Sequence, residues 1–157
     1  MEIESFKKKS LPEKRKDQAR EKGIFDFSSL RVWQRIFPAA LELEKYLDDV
    51  TTETEQTKKR LADLYEAMNE ALDNLVRGYY QFRGEEKVGF YSRARVATGR
   101  VLYLLYHLGF LGVIEKNRVL EFGEAFKYSV VMINSLIKSI MNKSPDIKEE
   151  WRLVKSK

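Results

Sequence analysis

The sequence contains no cysteine, which excludes disulfides, thiolate metal sites and cysteine nucleophiles. It also contains a single histidine, His107, so a histidine-rich metal site cannot be built. The Glu-x-x-His pair that carboxylate-bridged metal bundles use is absent as well. Because proteins of reducing compartments rarely contain disulfides and this chain can form none, we expect a cytoplasmic protein.

Phosphate-binding and catalytic motifs are also missing. Four glycines between residues 78 and 99 fit neither the GxxxxGK[ST] nor the GxGxxG spacing. His107 lies between Tyr106 and Leu108 in an apolar run, and no serine near it has the sequence context of a strand-to-helix nucleophile elbow. A structural role for His107 is therefore favoured, and we expect a protein that is not an enzyme and uses no metal or other cofactor.

Long hydrophobic runs are lacking too. The longest, Val101 to Ile114, is shorter than the roughly 20 residues that a bilayer span needs, and His107 interrupts it. The first 23 residues carry lysine and arginine throughout and have no apolar core of a secretory signal. We expect a soluble protein that does not contact a membrane.

Apolar residues recur every three or four positions in four segments, a spacing that predicts four α-helices. The first begins after Ser28 or Ser29, as N-cap, and contains Pro38, where we expect a kink or a late start. Thr51, Thr52 and Thr54 are candidate caps of the second helix. The predicted inward faces are Leu61, Tyr65, Met68, Leu72, Leu75 and Tyr79 in the second helix, Val88, Tyr91, Ala94, Thr98, Val101, Leu105 and Leu108 in the third, and Val119, Phe122, Phe126, Val130, Ile133, Ile137 and Ile140 in the fourth.

Short connections between these segments predict an all-α, antiparallel up-down-up-down four-helix bundle. We place the bundle at residues 25–142, after a charged N-terminal arm at 1–24 and before a charged C-terminal tail at 143–157. The arm is either a solubilising segment or an RNA-binding one. The tail either adds a short helix or stays mobile.

Charge is segregated along the chain. Residues 24–76 hold six basic against eleven acidic side chains, whereas residues 77–100 hold six basic against two. Aromatic rings interleave with this basic block, as in proteins that stack unpaired RNA bases beside arginines. The alternative is a solvated basic face whose rings belong to the core. The candidate nucleic-acid-binding residues are Arg77, Arg83, Lys87, Arg93, Arg95 and Arg100.

The third helix becomes apolar on nearly all sides past Leu102. One helix of a small bundle cannot bury that much apolar surface within its own subunit, and uncovered apolar surface usually marks a contact with a partner. We therefore predict self-association through this part of the helix. The candidate interface residues are Tyr103, Leu104, Tyr106 and Phe110.

Three segments carry a resemblance to a known family. FDFSSLRVWQ (Phe25 to Gln34) resembles the F-x-x-L-x-V-W-Q start of the four-helix-bundle proteins encoded by intervening sequences in bacterial large-subunit rRNA genes. ALDNLVRGY (Ala71 to Tyr79) is similar to that family's S-N-I-A-E-G segment, with Asn74 and Gly78 in matching places. KVGFYSRARVATGRVLYLLYHLGFL is similar to its E-F-x-x-F-L-x-x-A-x-G-S-x-x-E-L pattern and closing E-L-G-Y-L.

The resemblance spans Phe25 to Met141 and implies a bundle that assembles as a ring, expected to be a homopentamer, without enzymatic activity. The same superfamily includes the accessory variability determinant of diversity-generating retroelements, a basic ring-shaped partner of a reverse transcriptase and its RNA. This chain departs from the pattern at Arg77 and at Arg100 with Val101, where the family is usually acidic. Both departures make the surface more basic.

Two functions follow from these features as hypotheses. The first is a non-catalytic, ring-forming protein that binds nucleic acid, either structured RNA or DNA, as the accessory subunit of a reverse transcriptase. The second is a protein-interaction scaffold of the same family with no nucleic-acid ligand.

Overall fold

A computed structural model describes residues 26–143, and within them the chain is entirely helical. A 3-10 turn at Phe27–Ser29 precedes α1 (Arg31–Asp48), α2 (Glu55–Tyr79), α3 (Gly84–Phe110) and α4 (Lys116–Lys143). The prediction of an all-α, antiparallel four-helix bundle is confirmed. The arm expected at 1–24, and all of the tail expected at 143–157 except Lys143, lie outside the described residues.

The start of α1 differs from the prediction. The Asp26 carboxylate accepts the backbone N–H of Ser28 at 2.9 Å, and this cap holds the two serines in the 3-10 turn. Leu30 has extended backbone angles, and α1 begins only after it. The helix then continues through Pro38, which is buried inside it, so the late start expected at that proline is wrong.

Local signals set the other helix ends. Thr54 is the N-cap of α2, and its hydroxyl accepts the backbone N–H of Thr57 at 3.2 Å, as the threonine cluster predicted. Between α3 and α4 the chain reverses at Gly112, whose φ of 74° lies in the left-handed region that favours glycine. The amide of Val113 then donates to the Leu108 carbonyl at 3.0 Å, which closes the end of α3.

Around the bundle the helices follow in the order α1, α2, α3, α4. The contacts of α3 with α2 and with α4 are the most extensive, whereas α1 lies mainly against α4 and contacts α2 sparsely. All seven positions predicted to face inward on α3 are buried. On α4 five of the seven are buried, and Val130 and Ile140 are partly exposed.

The buried face of α2 is rotated from the predicted one. Met68 and Leu75 are buried as expected, but the other four predicted positions are only partly buried. Because α3 packs far more extensively on α2 than α1 does, the buried stripe turns toward α3 and includes several small residues. The additional buried residues are Leu64, Ala67, Ala71, Asn74 and Gly78.

Small residues allow α2 and α3 to approach closely. A β-carbon placed on Gly78 would lie 2.6 Å from Cε1 of Tyr91, so only glycine fits beneath this ring. One turn earlier, the Asn74 side-chain amide donates to the Glu70 carbonyl at 2.8 Å. The Gly of the segment that carries the family resemblance therefore has a structural role in this contact, and the Asn is bonded within α2.

Candidate nucleic-acid interface and oligomer surfaces

The connection between α2 and α3 exposes aromatic rings. Phe82 is 100% exposed and Tyr80 is 56% exposed. The connection spans only the few residues between the last turn of α2 and Gly84, too few to fold these rings back onto the core. Tyr80 touches Phe27 only edge-on, at 6.4 Å between ring centroids, so much of its surface stays open.

Two of the predicted arginines lie within a few residues of these rings along the chain. Arg83 is exposed and immediately precedes the first residue of α3. Arg77, in the last turn of α2, is also exposed, and its Nε lies 3.0 Å from the Asp73 carboxylate. We refer to Arg77, Tyr80, Phe82 and Arg83 as the α2–α3 tip. It combines exposed aromatic faces with guanidinium groups within a few residues of chain.

Lys87 has a different environment from the tip arginines. Its Nζ donates to the carbonyl oxygens of Gly78 at 3.1 Å and Tyr79 at 2.8 Å, the last two carbonyls of α2. Desolvation by burial lowers the pKa of its ammonium group. The structure therefore uses the Lys87 cation to cap α2, a role that the sequence pattern did not indicate.

The remaining three arginines are divided between two sides of α3. Arg100 lies 3.9 Å from Asp63 of α2, and Arg93 lies over the Phe90 ring, 5.2 Å from its centroid. On the opposite flank, Arg95 donates to the Asn134 side chain of α4 at 2.9 Å. The six predicted cations thus do not converge on one site.

Net charge in the described bundle is small. Residues 26–143 contain 17 basic and 16 acidic side chains, whereas residues 1–25 contain eight basic and five acidic ones. Because α1 begins at the end of the bundle that carries the tip, the basic N-terminal segment joins the bundle beside the tip. The bundle residues at this end add the cations Arg31, Lys138 and Lys143 and the acidic residues Asp26, Glu85 and Glu86.

The outward side of α3 carries an apolar stripe with heptad spacing. Val96 is 70% exposed and Phe110 is 92% exposed, and Tyr103 lies between them in the same register. Tyr106 flanks the stripe and leans toward α4, where Gly123 lies beneath its ring and Lys127 Nζ lies 5.7 Å from the ring centroid. A hydrogen bond with Tyr106 is the largest cause of the raised pKa of Lys127.

One of the four predicted interface residues is not on this surface. Leu104 is 1% exposed and belongs to the core of its own subunit. It faces inward because α2 and α4 together cover a wider arc of α3 than the sequence pattern suggested. His107 lies at the edge of the apolar stripe, where its Nδ1 is 3.4 Å from the Tyr103 hydroxyl.

A concave surface between α1 and α2 was not foreseen. This α1–α2 groove has a volume of about 730 Å³, and apolar side chains meet a largely acidic rim there. It forms because α1 contacts α2 sparsely, a property that single-helix periodicity does not reveal. Its lining residues are Trp33, Glu66, Asn69, Glu70, Leu72, Asp73 and Val76.

Two further properties concern the described residues alone. Among residues 26–143, no three histidine or acidic side chains come together in a group that could hold a metal ion. No helix in this part of the chain has both the length and the apolarity to cross a bilayer. Comparison with models of known families, with curated proteins and with solved structures found no match to the chain.

Proposed function

We propose that this protein is a non-catalytic, self-associating nucleic-acid-binding protein whose α2–α3 tip binds unpaired bases of a structured RNA. The observation that carries the proposal is the fully exposed Phe82 beside Tyr80 and Arg83 at the end where the basic N-terminal segment joins the bundle. An exposed aromatic ring beside a cation offers a flat face on which a planar group can stack. A nucleobase with its phosphate supplies both the stacking partner and the anion.

The chemistry of this contact is well matched to RNA. Stacking of one base on an aromatic side chain contributes about 1–3 kcal/mol, and it tolerates any base because each presents a flat π-face. Arg83 can contact the phosphate next to the stacked base, and the lysine-rich segment at residues 7–9 adds further cations. Such binding depends on salt, because each phosphate contact releases a condensed counterion.

Self-association supports this function, because several tips on one assembly bind one RNA with far higher effective affinity than a single tip. The exposed apolar stripe on α3 supports an oligomer, and the family resemblance favours a ring of five subunits. The same resemblance favours a reverse transcriptase as the protein partner. Light scattering on the purified protein gives the subunit number, and sequencing of co-purified nucleic acid identifies the ligand.

The test compares full-length wild type with Phe82→Ala and Arg83→Gln in a shift assay on RNA with unpaired loops. We expect each variant to weaken binding by about 5- to 100-fold, since each removes a stacking or charge contact. Arg118→Gln is the control for the loss of one cation, because this partly exposed arginine lies at the opposite end of the bundle. Binding that is indifferent to both tip variants, or to salt, would contradict the proposal.

The second candidate is the protein-interaction scaffold without a nucleic-acid ligand. It is supported by the near balance of charge in residues 26–143 and by the internal contacts of Lys87, Arg95 and Arg100. Wild-type protein that purifies free of nucleic acid and binds no RNA at low salt, while still retaining a protein partner, would favour the scaffold.

A further inference from the structure

We propose that two copies of this chain associate side by side, with the outer face of α3 in one copy seated in the α1–α2 groove of the next. The outer face of α3 is defined here as Gly89, Arg93, Val96, Gly99 and Tyr103. This inference rests on the self-association proposed above and names the two surfaces that meet.

The two surfaces are complementary in shape. Val96 protrudes from the outer face, and it is flanked by Gly89 and Gly99, at neither of which would a β-carbon meet any atom within 4 Å. A neighbouring backbone can therefore approach α3 closely on both sides of this valine. The α1–α2 groove offers a concave surface in which Leu72 and Val76 can cover an apolar side chain.

The two surfaces also carry opposite charges. Arg93 lies beside Val96 on the outer face, while Glu66, Glu70 and Asp73 line the groove. Within residues 26–143, neither Arg93 nor Glu66 has an ion-pair partner in its own subunit. Arg93 thus matches the acidic rim of the groove, and Val96 matches its apolar floor. Such electrostatic complementarity is expected of a specific interface.

The heights of the two surfaces also agree. Lys87 of α3 contacts Gly78 of α2, and Arg100 of α3 contacts Asp63 of α2. Residues 87–100 therefore span the same height of the bundle as residues 63–78, the segment that supplies most of the groove. If subunits are related by rotation about an axis parallel to their helices, contacts form at equal height, and Val96 meets the groove.

The two surfaces lie on different sides of the bundle, because α3 is diagonal to α1 in the helix order. Neither surface is complementary to itself, since one is convex and basic and the other concave and acidic. The contact is therefore heterologous, and repeating it produces either a closed ring or an open filament. This geometry is compatible with a ring and excludes a simple two-fold dimer through these faces.

The test uses charge reversal in the full-length protein. Arg93→Glu and Glu66→Arg each place like charges across the contact, and we expect each to raise the dissociation constant of the assembly about tenfold or more. Sedimentation velocity over a range of concentrations measures this shift. Lys138→Glu is the control, because this exposed lysine on α4 lies outside both surfaces. Circular dichroism checks that every variant is folded.

The decisive measurement mixes the two single variants. In the mixture, the Arg93→Glu subunit meets the Glu66→Arg subunit through a reversed ion pair at one contact and through the native pair at the next. We therefore expect the mixture to assemble at concentrations at which each variant alone is dissociated, and a ring with an odd number of subunits then keeps at least one contact between like variants. Restoration in the mixture cannot arise from a contact within one subunit.

Two outcomes would overturn the pairing of surfaces while leaving self-association intact. One is a mixture that stays dissociated, and the other is a pair of single variants that assemble like wild type. A wild-type protein that is monomeric at all concentrations would instead refute the self-association on which the pairing rests.

Discussion

Gly78 allows α2 and α3 to pack closely, because the Tyr91 ring occupies the space where a β-carbon would be. We expect Gly78→Ala to lower the free energy of unfolding by about 1–3 kcal/mol, since overpacking costs more than the higher helix propensity of alanine returns. Urea unfolding at a fixed subunit concentration measures the change.

Gly99→Ala is the matched control for that substitution. Gly99 also lies inside a helix, but nothing is within 4 Å of its would-be β-carbon. At subunit concentrations at which the protein is dissociated, so that the outer face of α3 is free, we expect alanine to raise the free energy of unfolding by up to about 1 kcal/mol. Equal effects of the two substitutions would show that the Tyr91 contact does not determine the packing distance.

Tyr91 gives the protein a predictable sensitivity to alkali. Burial is the main cause that raises the pKa of its hydroxyl from 10.0 to about 12, and the nearby Tyr79 adds to it. Above pH 10 the unfolded chain loses this proton while the folded chain keeps it, so stability falls as the pH rises between these two values. The slope contributed by this one group is about 1.4 kcal/mol per pH unit.

Tyr91→Phe removes the group and serves as the comparison for this pH dependence. We expect the free energy of unfolding of wild type to fall more steeply than that of the variant above pH 10. Denaturant unfolding at several alkaline pH values measures both slopes. Parallel curves for the two proteins would contradict the assignment of this sensitivity to Tyr91.

For single residues, the side of the helix on which a side chain lies was easier to predict from the sequence than the residue that it contacts. The helical spacing of the three arginines is enough to place Arg93 and Arg100 on one side of α3 and Arg95 on the other, which is where the structure has them. The hydrogen-bond partners of Arg95 and Lys87 could not be predicted from the sequence, because these partners lie on α4 and α2 rather than on α3. Leu104 was misassigned for a similar reason, since its burial depends on how far the neighbouring helices extend around α3.

The end of α2 is stabilised from α3. Lys87 donates to the last carbonyls of α2, so its cation interacts with both hydrogen-bond acceptors and the negative end of the helix dipole. We expect Lys87→Met to lower the free energy of unfolding by about 1–2 kcal/mol, as loss of a charged hydrogen bond usually does. RNA affinity should remain nearly unchanged, because this partly buried cation is held by the two carbonyls at the end of α2.

Arg83→Met gives the opposite expectation and is therefore the control for Lys87→Met. Arg83 is exposed at the tip, so its loss should reduce RNA affinity and leave thermal unfolding nearly unchanged. Thermal melts and shift assays on both variants form one experiment. A large loss of RNA affinity in Lys87→Met with normal stability would reassign this lysine to the nucleic-acid interface.

The presence of each helix was easier to predict than its rotation about its own axis or its first and last residues. Apolar periodicity located all four helices, because each must bury one face against the others. The face of α2 was placed toward Leu61 and Leu72, whereas the structure turns it toward Ala67 and Ala71. Periodicity cannot distinguish these two solutions, since the choice depends on whether α1 or α3 packs more tightly on α2.

For the molecule as a whole, four amphipathic segments with short connections were enough to predict the bundle. The α1–α2 groove was not predictable, because it depends on the spacing between two packed helices. The charge total was also misleading when taken alone. Residues 26–143 carry a net charge of +1, and residues 1–25 and 144–157 carry +3 and +1. Much of the attraction for an anionic partner must therefore come from the segments that flank the bundle.

Because α1 packs against α4, the first and last helices of the bundle are neighbours in space. The first residues of α1 and the last residues of α4 lie at the same end, and the two helices pack side by side. A short peptide could therefore join them, and the chain could be reopened at the connection between α1 and α2 without altering any helix contact. Such a permuted protein would move its new termini to the opposite end and leave the α2–α3 tip free of flanking chain.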